Sequence, residues 1–235
     1  MALYAIADLH LSLGTDKPMD IFGDRWRDYM ARLEQNWTEM ISEEDTVLVP
    51  GDISWAMTME EALPDLRFLD RLPGQKILVK GNHDFWWGTN GKVEKFMREN
   101  GIHSIALIKN SAIRAGMDAI CGSRGWLLPE HSEFSESDRV IYDREAGRLE
   151  RSLIAAQELC SHTPGRIVAM IHFPPVGEHG DSTAFSVLLE KYGVEICVYG
   201  HLHGRGHVKA FEGSLNGVQY RLTAGDYIAF KPLRL

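Results

Sequence analysis

Five stretches of the chain place Asp, His or Asn where an apolar run stops. Residues 3–7 lead into Asp8-Leu9-His10, and residues 46–49 lead through Pro50-Gly51 into Asp52. Residues 76–80 lead into Gly81-Asn82-His83-Asp84, residues 166–171 into His172, and residues 195–199 into Gly200-His201-Leu202-His203. Imidazole and carboxylate together suit manganese, iron and zinc, whereas magnesium prefers oxygen. No cysteine falls in the set, which argues against a structural thiolate zinc site. A lone Asp after a strand is ordinarily a turn residue or helix cap, and a lone His a satisfied surface or core group. Five such coincidences leave little room for that reading. Asp8 and His10, two apart, converge on one ion if the backbone turns, and His201 and His203 can serve two adjacent ions. A carboxylate has two oxygens and can bridge a pair of metals. Asp52 is therefore the natural bridge, and the uncharged Asn82 a terminal ligand.

The runs that carry these residues read as buried strands, and helical periodicity appears between them. Trp26, Tyr29, Met30, Leu33, Trp37, Met40 and Ile41 recur at steps of three and four. Further helices are expected over 60–72, 93–100, 138–160 and 182–192. Within 138–160, Ile141, Leu149, Leu153 and Ile154 should face inward; the last helix should be capped by Ser182 and ended by Gly193. Strands alternating with helices predict an α/β architecture, α+β in some schemes, with a binding site beyond the carboxyl ends of the strands. Segments 104–110, 111–116 and 119–122 are further strand candidates, and 125–136 reads as an irregular loop. Over 207–235 the pattern changes. Segments 207–211, 218–222 and 227–230, separated by Gly-rich turns, predict an antiparallel hairpin region. With no repeat or linker, one domain over 1–235 is expected.

The 235 residues can bury one substantial core. Lys and Arg number 25 against 33 Asp and Glu, a net charge of -8. That balance gives no overall attraction to nucleic acid or anionic membrane, and no Arg/Lys stripe is present to hold extended nucleic acid. No apolar run approaches a membrane span. The three scattered cysteines and the absence of a basic leader predict a reduced, cytoplasmic protein. The sequence carries no mark of an oligomeric state.

Taken in order, Asp8-Leu-His10, Gly51-Asp52, Gly81-Asn-His-Asp84, His172 and Gly200-His-Leu-His203 resemble the full signature of the calcineurin-like metallophosphoesterases. One departure is Ile53-Ser54-Trp55, where members of that family often carry a further Asp. The resemblance implies a four-layer α/β/β/α sandwich of two mixed β-sheets flanked by helices. It implies one metal on Asp8, His10, Asp52 and His203 and another on Asp52, Asn82, His172 and His201. The cofactors would be two divalent or trivalent ions, with manganese, iron or zinc fitting best and magnesium possible. It places His83 near the leaving oxygen, with Asp84 orienting it.

The activity implied is hydrolysis of a phosphate ester by a hydroxide shared between the two metals. Two divalent ions outweigh the two carboxylates even with that hydroxide between them, so the pocket attracts phosphate although the chain is acidic. The expected partner is a small phosphorylated substrate, a monoester or diester such as a nucleotide. A non-catalytic metal-binding or scaffold protein on the same fold is the competing reading, although such a protein would be expected to have lost ligands. Arg124, in a Gly-rich stretch, and Arg205 are weaker phosphate-binding candidates, each with an ordinary surface arginine as alternative. Trp126 could stack on a base or close the core. Trp55, Phe85, Trp86 and Trp87 could wall the site or fill the core, with core favoured for at least two.

Overall fold

A computed structural model describes residues 1–235. Its contacts divide the chain into two compact units, Met1–Leu107 with Thr223–Leu235, and Ile108–Leu222.

The first unit holds β1 (Leu3–Ala5), α1 (Tyr29–Met40), β2 (Thr46–Pro50), α2 (Met59–Arg71), β3 (Gln75–Val79), α3 (Asn90–Glu99) and β4 (Ile105–Leu107). Four of its strands are parallel, in the order β1-β2-β3-β4. The chain's last strand, β11 (Leu233–Arg234), adds antiparallel to β1 and makes the sheet mixed. β2 is buried along its whole length, as expected for a strand covered on both faces. The stripe Tyr29, Leu33 and Trp37 buries one face of α1.

The second unit holds β5 (Ile113–Ala115), β6 (Asp118–Ser123), α4 (Glu136–His162), β7 (Ile167–Ile171), α5 (Ala184–Lys191), β8 (Ile196–Tyr199), β9 (Gly213–Leu215) and β10 (Val218–Leu222). Its six strands run in the order β5-β6-β7-β8-β10-β9. The inner four are parallel and both outer pairs antiparallel. The molecule thus contains two mixed sheets with flanking helices, an α/β fold.

Three local expectations need correction. In α4 the inward stripe is Tyr142, Glu145, Leu149, Ser152, Leu153 and Ala156. Ile154, one residue past Leu153, is rotated by about 100° and stands 51% exposed. The cap of α5 is Thr183: its hydroxyl accepts from Phe185 and Ser186 N–H, and Ser186 Oγ accepts from Thr183 N–H. The third correction concerns the tail. Only β9 and β10 form a hairpin, through Asn216 and Gly217 at φ 49° and 87°. Residues Gly204–Lys209 form a 3-10 turn, and 227–230 coil tightly with Ala229 and Phe230 at positive φ. Apolar content there comes from Phe230 burying against Trp26 and Tyr29, and does not reflect strand pairing.

Candidate metal centre

In the first unit, pairing continues past the strand ends. Asp8 N–H donates to Gly51 O (3.0 Å), His10 N–H to Asp52 O (2.9 Å) and Leu11 N–H to Ile53 O (2.9 Å). The loops after β1 and β2 are therefore tied rung by rung, which brings Asp8, His10 and Asp52 together. Asp8 is 0%, Asp52 1% and His10 2% exposed. The ligand atom of Asp8 lies within 4.8 Å of those of His10 and Asp52, and His10 Nε2 lies 3.7 Å from Asp52 Oδ2. Two buried carboxylates this close repel unless a cation lies between them. Burial, proximity and donor chemistry all fit a metal ion.

The backbone is bent to make this arrangement. Asp8, His10 and Asp52 sit at φ 58°, 43° and 51°, and His201 in the second unit at 73°. These four are among nine non-glycine residues in that region, so the conformation concentrates on the ligand candidates. At about 1–2 kcal/mol each, it marks positions where side-chain direction outweighs backbone comfort.

The exit of β3 supplies the next group. Asn82 and His83 are half-buried, and His83 N–H donates to Asp52 Oδ1 at 2.8 Å. Gly81 leaves room for this: a Cβ there would stand 2.1 Å from Asp52 Oδ1. The His83 ring packs 4.6 Å from Trp55 and 5.8 Å from His10, centroid to centroid.

Asp84 has a different task from the one expected of it. Its Oδ1 accepts from Ile53 N–H, Ser54 N–H and Trp86 Nε1, and its Oδ2 from Gly81 N–H. Both oxygens thus brace the loops after β2 and β3, with no bond to the His83 ring. Burial, followed by the nearby Asp52 carboxylate, pushes Asp84 up to about 7; a cation on Asp52 would cancel the second cause.

Trp55 carries a contact that the sequence left open. It stacks on His10 at 4.7 Å and 21°, while Trp26 meets the same imidazole edge-on. Tyr29 OH donates to His10 O at 2.8 Å. Trp86 and Trp87 are core residues, and Phe85 is 55% exposed. No pattern in the sequence separates these aromatic braces from ordinary core.

In the second unit, His172 is fully buried at the end of β7, and His201 and His203 are half-buried after β8. The His172 and His201 rings lie 5.1 Å apart at 78°. His172 N–H and Phe173 N–H both donate to Arg124 O (3.1 and 3.0 Å), and Gly200 N–H donates to His172 O (3.1 Å). Arg124 reaches the site through this carbonyl. Its guanidinium is directed elsewhere, onto Glu145 Oε1 at 3.2 Å and over the Trp126 ring at 4.3 Å. Arg205 is exposed on the 3-10 turn. Cys121 and Cys197 are buried free thiols held protonated by burial, and Cys160 is half-buried. No helix is long and apolar enough to cross a membrane.

The sequence matches the family model of the calcineurin-like phosphoesterases over residues 1–205, a span that includes every ligand candidate. The Gene 66 protein of Mycobacterium phage L5 is 25% identical over 199 residues, covering 84% of this chain and 75% of that protein. Among solved structures, the protein of unknown function AQ665 from Aquifex aeolicus aligns with a TM-score of 0.51 at 17% identity, over 99% of this chain and 95% of that one. A second aligns at 0.53 and 16% identity, over 92% and 88%. These two likenesses speak to the fold alone.

Proposed function

Because the chain belongs to the calcineurin-like phosphoesterase family, we propose that it hydrolyses a small phosphomonoester or phosphodiester, such as a nucleotide, in the cytoplasm. Membership implies metal-dependent phosphoester hydrolysis. Residues 1–235 would act as one catalytic domain. One ion would take Asp8, His10, Asp52 and His203, and the other Asp52, Asn82, His172 and His201. Manganese, iron and zinc suit this imidazole-rich set, and magnesium suits only its oxygen ligands. When bound, two such cations would supply charge neutralisation at the phosphoryl oxygens and acidify a water for attack on phosphorus.

The chain's own residues do the rest. Asp52 would hold both cations, and through Oδ1 it also positions the His83 backbone. The His83 imidazole, propped on Trp55, would donate a proton to the leaving oxygen or stabilise charge there. Asp84 fixes the two loops on which these groups stand. The observation that carries the reading is the buried cluster around Asp8, which has a ligand atom within 4.8 Å of one on His10 and of one on Asp52, with His10 Nε2 3.7 Å from Asp52 Oδ2.

The test is an assay of the manganese-loaded chain on an aryl phosphate and an aryl phosphodiester. Turnover of one or both is expected, and their ratio assigns the ester class. A chain holding two ions per copy and active on neither would be a scaffold, and the proposal would fall.

A further inference from the structure

Beside His201 the second unit contains a cavity of about 380 Å³, within the size range of small-molecule sites. Its wall is aromatic and continuous. The His201 ring lies 4.0 Å from Phe173, and Phe173 lies 5.3 Å from Trp126. Leu128, Val176 and Leu202 add aliphatic surface.

Trp126 is fixed before anything binds. Its indole N–H donates to Asp138 Oδ1 at 2.9 Å, and Arg124 lies over its ring, itself held by Glu145. The loop beneath is locked as well: Gly125 sits at φ 72°, where a Cβ would meet Ile171 Cγ2 at 2.8 Å. A rigid ring loses little freedom when a ligand stacks on it, which raises affinity for a flat partner. The charged lining residues are Glu130, Glu178 and Lys209, with Lys209 Nζ 4.0 Å from Glu178. Two acids and one base do not form an anion site. Against the Phe173–Trp126 wall itself, a sugar's hydroxyls would lose water without replacement, whereas a flat apolar ring would not.

We infer that this cavity is the subsite for the alcohol portion of the substrate, and that it selects phosphoesters whose alcohol carries a neutral, flat aromatic group. The inference rests on the phosphoesterase reading, in which His201 is a metal ligand at one end of the wall. A phosphoryl group held at that end would have Phe173 and then Trp126 next along the wall for its substituent.

The test uses the metal-loaded full chain and two non-hydrolysable probes, benzylphosphonate and ethylphosphonate, titrated by calorimetry. The probes share a headgroup and differ in the ring. Benzylphosphonate should bind about 10-fold tighter. Trp126→Ala should bring that ratio close to one, while Trp126→Phe, which keeps a ring, should retain most of it. Leu128→Asp, a change on a half-buried loop position, should also collapse the ratio and covers the case in which Trp126→Ala does not fold. Equal, measurable affinities for the two probes in the unaltered chain would overturn the aromatic subsite and leave the phosphoesterase reading standing. So would a ratio that survives the Trp126→Ala and Leu128→Asp changes. If neither probe binds a chain holding two ions, the aromatic subsite falls, while the phosphoesterase reading stands or falls separately on turnover of the two aryl esters.

Discussion

His83 and Asp52 are joined by one hydrogen bond, yet removing them should have opposite signatures. Asp52→Ala takes away the carboxylate assigned to both ions, so metal content should fall at both positions together. His83→Ala leaves the ligands in place. It should lower kcat by about 100-fold or more with metal content, read by elemental analysis, nearly unchanged. Loss of both ions on that change would make His83 part of the ligand set. Asp84→Asn would put an amide against donors that now meet carboxylate oxygens, at a cost of about 1–3 kcal/mol in denaturant unfolding.

Asp65 gives a separate prediction, away from the ligands. Burial pushes its carboxyl from 3.8 to about 6, against the opposing bonds from Ser54 Oγ and Leu13 N–H. A carboxyl raised by folding favours the native state while protonated, and that stability is lost as pH rises from about 4 through 6. At about 1.4 kcal/mol per pH unit, the loss approaches roughly 3 kcal/mol. Unfolding midpoints measured between pH 4 and 8 should therefore fall less steeply in Asp65→Asn than in the unaltered chain.

Among the elements, the loops after β2 and β3 meet with room for a hydrogen atom and little more. A methyl at Gly81 would collide with Asp52 Oδ1 and with Asp52 N, at 2.1 and 2.2 Å. Gly81→Ala should abolish metal binding while far-UV circular dichroism still reports the sheets. Retained metal binding would show that the approach can relax.

The parallel strands were legible because burial on both faces makes their sequences continuously apolar, and a polar residue marks where each one stops. That boundary also located the candidate ligands. The tail was not legible, because short apolar segments between glycines look alike whether they pair as strands or fold onto a core. Phe230 reads as strand and is a plug beside Trp26 and Tyr29. Asp84 was placed at the right point in the chain, but its neighbour in sequence is not its partner in space. Its donors come from Gly81, Ile53, Ser54 and Trp86, and a contact 30 residues away leaves no periodic trace. Trp55, read as wall or core, proves to stack on His10.

For the whole molecule, the net charge of -8 and the buried carboxylates act in the same direction: both make the metal-free chain less stable than the loaded one. A ligand present at 100 times its dissociation constant stabilises by about 2.7 kcal/mol. For a chain of this size that corresponds to a transition midpoint higher by about 5–10 °C. Calorimetry before and after chelation should show that difference, restored on adding manganese.

Hydrolysis that depends on a pair of ions can be followed by stripping the protein of metal, returning manganese in steps, and measuring metal content and aryl-ester turnover on the same samples. Turnover should be absent at the start, rise with loading and level off at two ions per chain. Full turnover in the stripped, folded protein would show that the ions are not required.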